Sequence, residues 1–69
     1  MSDTNKINIL DALYAIYTAD ELQASANLNN YLNNAAGIGE HPDVVAEAKK
    51  LVEKIGAARA NRELVKSML

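Results

Sequence analysis

The chain has one histidine, His41, which stands between Glu40 and Pro42 with Asp43 just beyond. Nucleophilic catalysis needs a Ser, Thr or Cys held beside a base, and no such partner is evident near His41. A capping or solvent-facing role is the reading we adopt for it. Glu40, His41 and Asp43 would crowd three metal ligands into four residues at a helix start, a spacing that matches no tetrahedral zinc pattern. There is no cysteine to complete one.

Acid–base chemistry would have to draw on Asp20, Glu21, Glu47, Glu53 or Glu63, all expected on exposed helical faces or caps. Gly37-Ile38-Gly39 is too short for a phosphate-cradling loop, and it follows a helical pattern where such loops follow a strand. The expectation is a protein without catalytic residues, metal or cofactor.

The remaining chemistry is electrostatic. The net charge is −2, with residues 1–40 summing to −4 and residues 41–69 to +2. Lys49, Lys50, Lys54, Arg59, Arg62 and Lys66 make the second half the only candidate for polyanion binding, with Arg59, Arg62 and Lys66 as the contact set. Glu47, Glu53 and Glu63 interrupt it at spacings of three, as in ordinary surface pairing on a helix. A helix-turn-helix reading fails at its recognition helix, which opens Pro42-Asp-Val-Val-Ala-Glu47 with no Arg, Asn or Gln where base edges are read.

These residues must be positioned by helices. Ile9, Leu10, Leu13, Ile16 and Tyr17 fall within about a third of a helical circumference, predicting a first helix over Ile7 to Tyr17. Asp3, Thr4 or Asn8 is placed to cap it. Thr18-Ala-Asp-Glu21 has the pattern of a capping box, so a second helix is expected to begin there. Its apolar side would carry Leu22, Leu28, Leu32, Ala35 and Ala36, and Gly37 would end it before a loop to His41.

Pro42 and Asp43 suit the first turn of a third helix. Val44, Ala48, Leu51, Ile55, Ala58, Val65 and Leu69 then follow a 4-3-4-3 spacing broken only at position 62, by an arginine. A helix from Pro42 to Met68 is about 40 Å long, against about 27 Å for one from Ala19 to Ala36. Its end would then lack an antiparallel neighbour. Beyond Gly56 the apolar face also swings by roughly 100°. Two readings stay open: a break at Gly56 that folds the end back as a fourth helix, or a continuous helix packing on a second copy.

The expected fold is therefore all-α, a small three-helix bundle, or four-helix if broken at Gly56, in one domain over 1–69. Such a short chain hides only about 60% of its unfolded surface, and neither disulfide nor metal is available to compensate. Leu64, Val65, Met68 and Leu69 are the apolar residues most in need of a partner. Gln23, Asn27, Asn30 and Asn34 recur at spacings of four, three and four as one uncharged amide stripe, either solvated or part of an interface. No stretch approaches the length of apolar sequence that a membrane span needs, and the polar N-terminus has no secretory pattern. A cytoplasmic protein–protein interaction module follows, self-associating or docking on a larger protein as a regulator or inhibitor. Nucleic-acid contact is the second reading.

Overall fold

The computed structural model describes the backbone of residues 2–34 and 43–69, and side chains from residue 8. Two helices account for nearly all of it, α1 (Ser2–Asn33) and α2 (Val44–Met68). They run antiparallel and pack along their length into a rod of 57 × 14 × 12 Å. The all-α class is as expected. The bundle of three or four helices is not: the described residues hold two.

The difference arises at Thr18. Its hydroxyl donates to the carbonyl of Tyr14 at 2.7 Å, one turn back along the same helix, and so caps nothing. No glycine or proline occurs between residues 2 and 33, and the expected first and second helices are one. A capping motif starts a helix only where the preceding backbone leaves the helical region. Nothing upstream of Thr18 compels that.

With the break removed, a continuous heptad becomes visible in α1. Leu10, Tyr14, Tyr17, Glu21, Ala24, Leu28 and Tyr31 are spaced 4-3-4-3-4-3, and every one is buried or half-buried. In α2 the same holds for Val44, Ala48, Leu51, Ile55, Ala58, Arg62 and Val65. This is the 3.5-residue period of a coiled-coil seam. Leu22 and Leu32, expected on the apolar side, lie off this seam and are exposed, and Ala24 takes the buried place.

α2 passes through Gly56 without interruption, which closes the question of a fourth helix. Nor does its end lack a neighbour. α1 spans 32 residues, about 48 Å at 1.5 Å per residue, and runs the whole length of the 25-residue α2. Val65, placed among the residues needing another chain, is only 6% exposed, covered within the hairpin. Asp43 stands at the N-cap of α2, with its carbonyl accepting from Glu47 N–H at 2.8 Å. Asp3, Thr4 and Asn8, expected as caps of a first helix, lie inside α1, which already begins at Ser2. Ala35 and Ala36 of the expected apolar side, the stop at Gly37 and the loop through Glu40 and His41 to Pro42 lie outside the described residues.

Candidate interaction surface

The seam contains one polar layer. Glu21 of α1 and Arg62 of α2 occupy core positions of their heptads, and their side chains are only 14% and 22% exposed. They form an ion pair through Arg62 Nη1 and Glu21 Oε1. Arg59 donates from Nε to the other carboxylate oxygen at 3.1 Å, and its Nη2 stands at the same distance in the ion pair. Arg62 Nε also donates to Glu63 at 3.2 Å. The residue that interrupts the apolar spacing of α2 is thus matched by an acid at the equivalent interruption in α1. Two of the three proposed polyanion contacts, Arg59 and Arg62, are turned toward this carboxylate.

Beside the seam lies a shallow groove of about 430 Å³. α1 lines it with Tyr17, Asp20, Gln23, Ala24 and Asn27, and α2 with Leu51, Lys54, Ala57, Ala58 and Asn61. Seven residues are nearly two helical turns, so residues seven apart share a line on the helix surface. Counting back from Gln23 reaches Ile16 and Ile9. Counting forward from Ala57 and Asn61 reaches Leu64 and Met68. These four apolar residues are exposed, from 54% at Ile16 to 62% at Ile9, and they flank the open end of the hairpin on its groove side.

Toward the connecting end the same lines turn polar. Gln23 leads to Asn30, Asp20 to Asn27 and Asn34, and Ala57 back to Lys50. All four residues of the amide stripe are exposed. Asn34 Nδ2 donates to the carbonyl of Asn30 at 2.8 Å and to its side-chain oxygen at 2.9 Å, so this end of the stripe is partly satisfied along its own helix. The groove face therefore grades from apolar at the termini to amide-rich at the connection.

The opposite face is graded the other way. Val45, Val52, Arg59 and Lys66 are seven apart along α2, apolar near the connection and basic toward the open end. Of the residues singled out in the sequence, Leu64, Met68 and Leu69 are exposed and Val65 is not. Sequence reasoning missed Ile9 and Ile16 as surface residues, because a first helix taken alone places them on its only apolar stripe. Their seven-residue spacing to Gln23 was the available signal. Among the described residues no three metal-ligating side chains cluster, and no helix is long and apolar enough to cross a membrane. Comparison with protein-family models, curated proteins and solved structures finds no match to this chain.

Proposed function

We propose that the protein is a non-catalytic helical module that works by binding protein surfaces, its own copies among them. One observation carries the reading. Among the described residues four apolar side chains are buried, two of them alanines, while nine large apolar side chains stand exposed. A two-helix hairpin with this little core gains most from a second chain that covers those residues, because anything that binds only the folded form adds directly to its stability.

The electrostatics support the same reading over nucleic-acid contact. Arg59 and Arg62 are engaged with Glu21, and Lys50 pairs with Glu47 at 3.3 Å, which leaves Lys49, Lys54 and Lys66 as the basic side chains outside an ion pair among the described residues. A place in the cytoplasm, and a role as an adaptor or as an inhibitor of a larger assembly, belong to the same proposal. The test is molar mass by light scattering together with melting temperature, from micromolar to millimolar chain. Both are expected to rise with concentration, the mass above the 7.5 kDa of one chain. A folded monomer of constant melting temperature across that range would overturn the reading, since the exposed residues would then need no cover.

A further inference from the structure

We infer that the groove face is the self-association surface, and that two copies stack groove to groove with their open ends together, related by a two-fold axis along the hairpin. The inference rests on the reading of the protein as self-associating and specifies the face and the direction.

Area gives the first argument. A compact folded monomer of 7.5 kDa exposes about 4,200 Å². This chain exposes 5210 Å². The excess is about 1,000 Å², and a standard-size dimer removes about 800 Å² from each partner. The excess is thus of the size that one such interface removes, and the groove face carries four of the exposed large apolar residues, Ile9, Ile16, Leu64 and Met68.

The gradient along that face gives the direction. With the two-fold axis along the rod, each α1 lies over the partner's α2 and open end meets open end. Isoleucines then face Leu64 and Met68 of the other copy, and apolar surface covers apolar surface. A perpendicular axis would instead lay Ile9 and Ile16 over the amide-rich end, burying the Asn27 amide against hydrocarbon that offers it no hydrogen-bond partner, which is costly.

Charge agrees with the parallel stack. The Glu21 ion pairs set residue 21 level with residues 59–62, which brings Asn27 level with Lys54, and both line the groove. Across the interface each Lys54 ammonium then meets amide oxygens of the partner's α1, and the two lysines sit on the diagonal. An ammonium offers only donors, and an amide oxygen accepts two bonds.

The experiment compares two faces and two directions. Ile16→Lys with Leu64→Lys is expected to raise the dimer dissociation constant by roughly 100-fold or more, because four large apolar groups per dimer lose their cover. Helicity by circular dichroism should be kept. Val52→Lys, on the opposite face, should change the constant by less than about threefold. For the direction, a spin label on Asn33→Cys, which faces away from the groove, should lie within about 30 Å of its copy when open ends coincide, and beyond about 35 Å when they are opposed. A dimer dissociated by the Val52 variant and untouched by the double variant would overturn the choice of face while leaving self-association standing. A long label distance in an intact dimer would overturn the direction.

Discussion

Glu21 and Arg62 show how a pair of polar residues is read differently alone and together. Taken singly, each breaks an apolar repeat. Placed level across the seam, they become mutual partners, and charge-assisted bonds of this kind are stronger than neutral ones. Glu21→Ala should therefore cost about 1.5–3 kcal/mol in chemical denaturation, since it leaves a half-buried guanidinium without its acceptor. Replacing both residues by leucine should recover most of that loss or exceed it, because a paired charge inside a seam contributes little net stability. What the double leucine variant is expected to lose is a unique register, visible as broadened amide spectra. Arg59 is 61% exposed, and its share of the pairing is correspondingly screened. A second residue-scale contrast checks the seam itself. Val65→Ala, at a buried position, should lower stability by about 1.5 kcal/mol, while Val52→Ala, half-exposed on the outer face, should be near neutral.

At the scale of the helices, whether α2 continues through Gly56 stayed open in the sequence, but its repeat and its end at Met68 were legible. α1 was not. Thr18 and Glu21 offered a helix start at a point where the local chemistry permits one but the chain does not need one, and the side chains turned to other uses: a bond back to Tyr14, and an ion pair with α2. Once the chain was divided there, Leu10 and Ala24 could not be seen as members of one repeat. The length mismatch that left Leu64 and Val65 uncovered followed from the same division. Gly56 tests the continuity of α2 directly. A Cβ built at this position meets nothing within 4 Å, and its backbone is helical. Gly56→Ala should stabilise the protein by about 0.5–1 kcal/mol, a gain of several degrees in melting temperature for a domain of this size.

For the whole molecule, the order of closure along the rod follows from its topology. Leu28 and Leu51, toward the connecting end, are 23 residues apart, whereas Tyr14 and Val65, toward the open end, are separated by 51. Loop-closure entropy rises with the logarithm of that separation, so the seam zips from the connecting end toward the termini, with the Glu21 ion pair partway along. The last layer to close is the first to fray. Yet that layer is flanked by Ile9, Ile16, Leu64 and Met68, the residues a second copy would cover. Amide exchange near Val65 should then slow as the protein is concentrated, while exchange around Leu28 and Leu51 stays nearly constant until the whole rod opens. Association in such a molecule acts as a latch on a zipper: it leaves the strong end alone and removes the fraying where the two helices would otherwise begin to part.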